Sequence, residues 1–290
     1  MINDVLVKPL AGVTSGSDTP ATVRGHPGGA AANQAAWMAH LGAGVTFAGR
    51  VGARDAGYHR DELTRVGVRT HLAVDPDADT GSIVIMVAPD GERTMFTDRA
   101  ANLNLRKSDL PASLLDGVDV LHLTGYTFCE PPLLQVALSL LDDARSRGLA
   151  VTVDPGSAAF LARLESAAFL RWTEGAAICF PNRDEAAVLV GEADPVTMAA
   201  RLTGHYGVAV VKLGGAGCVL AVPGETPVRI AAYPADARDS TGAGDAFCGA
   251  FLSRWLAAGP DLPTADLIRA AEFAARIAAS VVTRFGARPV

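Results

Sequence analysis

The chain has 290 residues, of which 49% are hydrophobic and 19% charged, and its formal net charge is -6. These proportions exclude a disordered chain and a broad basic surface for nucleic acid, and they allow a large core in one or two domains. No apolar run approaches the roughly 18 residues that span a bilayer, so we expect a soluble cytoplasmic protein that acts without a membrane.

The first hundred residues predict a helix over 30–41 and a β-hairpin with strands near 82–88 and 92–97, joined at Asp90-Gly91. Asp-Gly between two strand-like runs is a strong hairpin signal. Because a hairpin has no place in an all-parallel sheet, we expect a small separate sheet that acts as a lid or dimerisation flap. A plain edge hairpin is the alternative.

From residue 117 onward, short apolar runs alternate with helical segments, which predicts parallel strands joined by crossover helices. The predicted strands cover 118–123, 149–153, 176–180, 208–211 and 218–222. The predicted helices cover 132–147, 158–170, 195–206, 242–256 and 264–283. We therefore expect one layered α/β domain over 1–290, with lid strands drawn from about 4–27 and 81–98.

The four cysteines are widely spaced and form no Cys-x-x-Cys pair, so we expect plain thiols in a reducing compartment. They are Cys129, Cys179, Cys218 and Cys248. His26, His122 and His205 have no metal-ligand spacing, and we expect structural roles for them.

A glycine turn before the 242–256 helix carries the main chemical signal. The sequence has no Gly-x-x-x-x-Gly-Lys-Ser/Thr loop and no Gly-x-Gly-x-x-Gly motif, so a bound nucleotide would need another phosphate cradle. Gly242, Ala243 and Gly244 can supply one, because backbone amides at a helix start attract anions. The carboxylate of Asp245 would then be placed to accept the proton of an attacking hydroxyl. An ordinary glycine turn, with Asp245 as an early-helix acid, is the alternative.

Two segments far apart in the sequence resemble the ribokinase-like (PfkB) carbohydrate kinases. Residues 239–252 match the carboxy-terminal signature of that family, with Ser240 in place of the usual Thr. Paired glycines at Gly28 and Gly29, followed by Asn33 and later glycines, match its amino-terminal signature. The resemblance implies a layered αβα Rossmann-like fold with a mostly parallel central sheet and a small β-sheet lid.

The resemblance also assigns roles to residues outside the glycine turn. For the nucleotide it implies Asn182 and Glu185, which help to organise magnesium and phosphate, and the turn from Lys212 through Gly214 to Gly217. A helix cap at 182–185 and a tight hairpin at 212–217 are the plainer readings. For a monovalent cation such as K⁺ it implies backbone carbonyls of Asp239, Thr241, Val281, Arg284 and Gly286. For the substrate it implies Asp4, Gly28, Gly29 and Asn33.

Three departures from the family pattern limit what the resemblance says about the substrate. The strand that normally precedes Asp4 has no counterpart, so we expect either an interior strand to be lacking or a longer chain. Ala30 replaces a common Lys, and Gly156 follows Asp154-Pro155 where Asn is common. Arg99 is a candidate contact for an acidic or phosphorylated substrate, with a solvated arginine as the alternative.

We therefore expect an ATP- and Mg²⁺-dependent phosphotransferase that acts on a hydroxyl of a sugar or sugar-like substrate and uses Asp245 as the general base. The resemblance also implies a homodimer through the lid. A nucleoside kinase of the same family and a non-catalytic sugar- or nucleotide-binding protein are the alternatives. A dinucleotide-dependent oxidoreductase is disfavoured because its fingerprint is missing.

Overall fold

The structure, a computed structural model, describes residues 1–88, 93–164, 166–259 and 262–289. Its strands are β1 (Ile2–Pro9), β2 (Ala21–Gly28), β3 (Thr46–Gly52), β4 (Arg69–Asp75), β5 (Thr80–Val87), β6 (Arg93–Ala100), β7 (Val120–Thr124), β8 (Ala150–Asp154), β9 (Ile178–Cys179), β10 (Val208–Lys212), β11 (Cys218–Ala221) and β12 (Val228–Ile230). Its helices are α1 (Ala30–His40), α2 (Ala56–Arg65), α3 (Pro131–Ser146), α4 (Ala158–Arg163), α5 (Ser166–Thr173), α6 (Arg183–Val190), α7 (Pro195–Leu202), α8 (Ala243–Ala258) and α9 (Thr264–Val281).

The largest sheet has six strands in the order β12-β11-β10-β9-β8-β7. Strands β7 to β10 run parallel, as the alternating pattern predicts. The prediction was wrong in extending that direction to β11, which is antiparallel to β10. The reason is the short connection at 213–217, because a crossover to a parallel strand needs a dozen or more residues.

Both faces of this sheet are covered by helices, which explains its near-continuous apolar strands. Along β10, Val208 and Val210 face a core shared with α1, α8 and α9. The alternate residues Ala209 and Val211 face a second core, shared with α3 to α7. Because successive side chains of a strand point to opposite faces, one short run serves both cores and three layers result.

Helices α1 and α8 cross in close contact at Gly249. A Cβ at this position would lie 2.6 Å from Cβ of Trp37 and 2.9 Å from the carbonyl oxygen of Gln34. Any side chain here would force the two helices apart. Since α1 and α8 carry the two signature segments, this crossing brings their amino-terminal ends together.

A second sheet has four strands in the order β2-β1-β5-β6. Strands β5 and β6 are antiparallel, as the hairpin prediction requires, although the Asp90-Gly91 turn itself lies outside the described residues. Strands β1 and β2 pair so that Ile2 faces Gly28 and Asp4 faces His26. This sheet contains the strands expected of a lid, and it holds Asp4 beside the start of α1.

Strands β3 and β4 pair in parallel with each other as a separate two-stranded sheet. The first strand, β1, belongs to the four-stranded sheet and carries Asp4.

The helix expected over 158–170 is divided into α4 and α5, because Leu164 has an extended backbone with ψ of 145°. In the described parts of the chain, no helix has both the length and the apolarity to cross a membrane.

Candidate active site

The carboxyl ends of the parallel strands carry the polar groups around which the site is built, as expected for an open α/β sheet. Asp154 ends β8 and Lys212 ends β10. Nζ of Lys212 lies 2.9 Å from Oδ2 of Asp154, and both side chains are largely buried. Although burial opposes the charge, the Asp154 carboxylate holds the pKa of Lys212 well above its usual value.

Helix α8 begins at the glycine turn. Its cap residue Gly242 has a left-handed backbone with φ of 76°. A Cβ there would lie 2.6 Å from Cα of Ala287, so both conformation and space require glycine. No acceptor in the described residues takes the amide hydrogens of Gly244 and Asp245. These amides are typical of the anion-binding end of a helix.

The carboxyl group of Asp245 is fixed by two side-chain amides from the first turn of α1. Nδ2 of Asn33 lies 2.9 Å from its Oδ2, and Nε2 of Gln34 lies 3.1 Å from its Oδ1. Asp245 as a whole is only half-buried, but its carboxyl group lies among protein atoms. This desolvation raises the pKa of Asp245 to about 7, against the opposing effect of the two amides.

Gln34 joins Asp245 to the buried ion pair. Its Nε2 also lies 3.0 Å from Oδ2 of Asp154, while its Oε1 lies 2.6 Å from Nε2 of His122. On the other side of the imidazole, Nδ1 lies 2.8 Å from the hydroxyl of Thr152. Two carboxylates accept from Nε2 of Gln34, which determines the orientation of its amide and turns Oε1 towards the imidazole. Burial lowers the pKa of His122 to about 4, so the ring is neutral, and with this orientation it donates from Nε2 to Gln34.

The segment expected to bind substrate is assembled beside Asp245. The carboxylate of Asp4 packs against Gly28, where a Cβ would overlap it. Gly29 lies against the backbone of residues 1 and 2, and Asn33 is buried at the first turn of α1. Burial raises the pKa of Asp4 to about 6. The structure therefore brings together Asp4, Gly28, Gly29, Asn33 and Asp245.

Arg288, which follows α9 in the chain, contacts two residues of this site. Its Nε lies 3.1 Å from Oδ1 of Asn33, and its Nη2 lies 3.0 Å from the carbonyl oxygen of Gly28. Only 7% of Arg288 is exposed. Asn33 therefore holds the Asp245 carboxylate with one end of its amide and the Arg288 guanidinium with the other.

A cavity of about 470 Å³ adjoins Lys212. Its walls are formed by Asn182, Arg183, Asp184, Pro195, Lys212, Leu213, Gly214, Ala216 and Arg229. Three residues of the expected nucleotide site, Asn182, Lys212 and Gly214, are therefore neighbours here. Gly217 closes the β10–β11 hairpin, where its φ of 87° and the nearby Ile230 carbonyl exclude a side chain.

Asn182 and Glu185 form a capping box at the start of α6. The backbone nitrogen of Asn182 lies 2.8 Å from Oε2 of Glu185, and the side-chain Nδ2 of Asn182 lies 2.8 Å from Oε1 of Glu185. Burial raises the pKa of Glu185 to about 7. The helix cap is therefore present, and the buried Glu185 carboxylate lies beside Asn182, which lines the cavity.

The segments expected to hold a monovalent cation are adjacent. The amide nitrogen of Asp239 lies 3.1 Å from the carbonyl oxygen of Val282, and Arg284 donates its amide hydrogen to Val281. Thr241 donates its amide hydrogen to Oδ1 of Asp239, and Gly286 has φ of 94°. Among the described residues, no group of three or more His, Cys, Asp or Glu side chains could hold a metal ion.

Sequence reasoning missed four residues of the site: Gln34, His122, Asp154 and Arg288. Gln34 directly follows Asn33, and Asp154 ends a predicted strand, so both positions offered a signal. His122 was expected to be structural, and its hydrogen bonds agree. Arg99 is partly exposed, and its guanidinium lies over the ring of Tyr126, 4.5 Å from its centre. Cys179, Cys218 and Cys248 are buried, but Cys248 also lies 3.1 Å from Asp154.

Comparison with known proteins finds relatives in sequence and in fold. Mouse ribokinase is 31% identical over 274 residues, which cover 89% of this chain and 81% of that protein. The crystal structure of adenosine kinase from Sinorhizobium meliloti superposes with a TM-score of 0.85 at 23% identity, over 100% of this chain and 94% of that one. A putative ribokinase II from E. coli, in complex with ATP and Mg²⁺, superposes with a TM-score of 0.82 at 24% identity, over 99% and 92% of the two chains.

The profile of the pfkB family of carbohydrate kinases matches residues 5–290. The match includes both signature segments, which the α1–α8 crossing places side by side. The structural neighbours share the layered fold over nearly the whole chain. The chain therefore belongs to the pfkB family of carbohydrate kinases.

Proposed function

We propose that this kinase transfers the γ-phosphoryl group of ATP to a hydroxyl of a sugar or nucleoside, with Asp245 as the general base. The observation that carries the proposal is the position of the Asp245 carboxylate. It lies at the start of α8, beside amides without acceptors in the described residues, and it is held by Asn33 and Gln34. With its pKa raised to about 7, it can accept a proton at neutral pH.

In the proposed step, the substrate hydroxyl oxygen forms a bond to the γ-phosphorus. The bond between that phosphorus and the β–γ bridging oxygen breaks, and ADP leaves with the bridging oxygen and its electron pair. The hydroxyl proton passes to Asp245. The amides of Gly244 and Asp245, with the positive end of α8, stabilise negative charge on the transferring group. Gly242 and Ala243 form the turn that directs these amides.

ATP is proposed to lie between this turn and the cavity beside Lys212. The cavity volume is in the range of small-ligand sites, and Asn182, Lys212, Gly214 and Gly217 belong to its wall or to the adjoining hairpin. Nζ of Lys212 would lie 3.7 Å from a Cβ at Gly244, so the ammonium group adjoins the glycine turn. A cation there favours negatively charged phosphate.

The residues near the cavity fit a magnesium ion that arrives with the nucleotide. Mg²⁺ is usually bound through one or two carboxylates together with substrate phosphates, so no dedicated cluster is needed. Glu185, with Asn182, would hold it, and the ion would neutralise phosphate charge. We also propose that carbonyls of Asp239, Thr241, Val281, Arg284 and Gly286 hold a monovalent cation, since their segments are adjacent.

The four-stranded sheet is proposed to act as a lid and as the dimer interface. Its edge strands β2 and β6 expose Val23, Met95 and Phe96, each with 57–60% of its surface accessible. The strand registers place Val23 and Phe96 on the same face of the sheet, at its two edges. Exposed apolar side chains on a shared face are typical of an interaction surface. A lid that closes on the substrate would exclude water and limit hydrolysis of ATP.

We place the enzyme in the cytoplasm, where its four free cysteines would stay reduced.

The test is Asp245→Asn, assayed for ADP formation over a panel of sugars and nucleosides and for ATP binding by calorimetry. We expect phosphoryl transfer to fall by at least about 10³-fold while ATP affinity changes little, because the variant loses the proton acceptor and keeps the cradle. Asp61→Asn, on the exposed face of α2, is the matched control. Near-normal turnover in Asp245→Asn would refute the assignment, and binding of sugar and ATP without any turnover in the parent protein would indicate a non-catalytic binding protein.

A further inference from the structure

Arg288 is a buried cation that contacts only neutral acceptors. Its Nε and Nη2 donate to the side-chain oxygen of Asn33 and the carbonyl oxygen of Gly28. Its Nη1 is buried and has no hydrogen-bond partner in the described residues. No described carboxylate lies within ion-pair distance of this guanidinium.

This arrangement is costly for the folded protein. Burial lowers the pKa of Arg288 to about 10, so the group still carries its charge at neutral pH. Glu62, Asp4 and Asp245 favour that charge from a distance, but none of them forms an ion pair with it. A buried charge is normally paired and fully hydrogen-bonded, because desolvation is otherwise uncompensated. An anion bound here would pair with the positive charge of Arg288 and accept a hydrogen bond from Nη1.

The position of Arg288 indicates which molecule would supply that partner. Its two contacts, Asn33 and Gly28, belong to the segment proposed to bind the acceptor substrate. Asn33 also donates to Asp245, so one side-chain amide separates the guanidinium from the proposed base. A substrate whose hydroxyl lies at Asp245 would therefore have another part of its carbon chain near Arg288.

We propose that the acceptor is an anionic sugar, whose carboxylate or phosphate pairs with Arg288 while the hydroxyl to be phosphorylated lies at Asp245. This inference rests on the proposed function and adds the charge of the substrate to it. The anionic group takes no part in the bond changes. A guanidinium suits it because its planar fork matches the two oxygens of a carboxylate or phosphate. Nη1 is buried in this structure. For the anion to reach it, the guanidinium must rotate or the four-stranded sheet must move.

The experiment compares matched sets of neutral and anionic sugars. Each set contains a sugar, its aldonic acid and its monophosphate, for example D-glucose, D-gluconate and D-glucose 6-phosphate, with pentose, hexose and ketose sets. ADP formation gives kcat/KM, and calorimetry without ATP gives the affinity for each sugar. The two anionic arms distinguish a carboxylate from a phosphate.

We expect the parent protein to prefer one anionic member over its neutral twin by at least about tenfold. Arg288→Gln, which keeps donors and removes the charge, should reduce that preference to near parity. Arg288→Lys, which keeps the charge, should retain part of it. Arg147→Met, which removes a surface arginine paired with Asp116, should leave the preference unchanged.

Three outcomes would overturn the inference. They are equal use of neutral and anionic twins by the parent protein, an unchanged preference in Arg288→Gln, and transfer of the whole effect to an Arg99→Met variant. If nothing in the panel is phosphorylated, the proposed function fails, and binding alone then decides the inference. Calorimetric binding of an anionic sugar that weakens in Arg288→Gln would support it, and no such binding would refute it. If Arg288→Gln does not fold, equal use of the twins by the parent protein still refutes the inference, and a preference reduced in Arg288→Lys but not in Arg99→Met still supports it.

Discussion

Nε2 of Gln34 lies 3.1 Å from Oδ1 of Asp245, although the two residues are 211 positions apart in the chain. The same nitrogen reaches Asp154, and the Gln34 side-chain oxygen lies 2.6 Å from Nε2 of His122. Gln34 is therefore positioned to orient the proposed base and to favour its charged form.

Gln34→Leu should lower kcat/KM by about tenfold, since it removes a hydrogen bond to a carboxylate. Because that bond lowers the pKa of Asp245, the acidic limb of the pH–rate profile should move to higher pH, by roughly half a unit to one unit. The profile is the decisive measurement, because a merely structural defect would reduce the rate without moving the limb. Gln135→Leu, on the exposed side of α3, serves as the control.

The ion pair between Lys212 and Asp154 gives a second prediction. Lys212→Met leaves the Asp154 carboxylate buried without its cation, so the free energy of unfolding should fall by about 3–5 kcal/mol. Adding Asp154→Asn should restore part of the loss, because the double variant has no unpaired charge. Urea unfolding of the four proteins measures the coupling. Strictly additive losses would contradict the view that the two side chains form one unit.

The titration of Asp245 links activity to stability. Its pKa is raised to about 7 by burial, so the folded protein retains a proton that the unfolded chain loses near pH 4. The unfolded state then binds fewer protons, and the free energy of unfolding falls as pH rises from about 4 to about 7. Asp245→Asn removes this dependence.

We therefore expect the stability of Asp245→Asn relative to the parent to be higher at pH 8 than at pH 4.5, by a few kcal/mol. Comparing the two pH values isolates ionisation from the hydrogen bond that the substitution also changes. Thermal unfolding at both pH values, with Asp61→Asn alongside, measures the difference. The same relative stability at the two pH values would show that the Asp245 carboxyl group titrates normally. In the parent enzyme, kcat/KM should fall about tenfold per unit below pH 7.

The exposed face of the four-stranded sheet gives a test of oligomeric state. Phe96→Asp places a charge on the sheet face that also exposes Val23, and we expect it to convert a dimer to a monomer of 29.9 kDa in light scattering. Val74→Asp, on exposed strand β4, should leave the dimer intact. A parent protein that is monomeric at all concentrations would remove the dimer from the proposal.

The sequence predicted the alternation of strands and helices because apolar runs and helical periodicity are local properties. It also predicted that the segments around Asn33 and Asp245 share one site, which the crossing of α1 and α8 explains. It missed the direction of β11, because the strand at 218–222 was counted with the parallel series, although a tight hairpin at 212–217 was the plainer reading of the connection. It missed the Lys212–Asp154 pair and Arg288 because their partners are known only once the strand order and the path of the last residues are known. Gln34 was passed over because an amide in an alanine-rich helix resembles an ordinary polar residue.

The hydrogen bonds of Arg288 have a consequence for how the enzyme is made. They join Arg288 to Asn33 and Gly28 across 255 and 260 positions, and Trp37 binds the carbonyl oxygen of Ala287 across 250. Contacts of such sequence separation form late, because the loops they close carry the largest entropy cost. Part of the α1 surface therefore stays uncovered until residues 287 and 288 have been synthesised and have docked on it. Catalytic competence would then depend on this docking step.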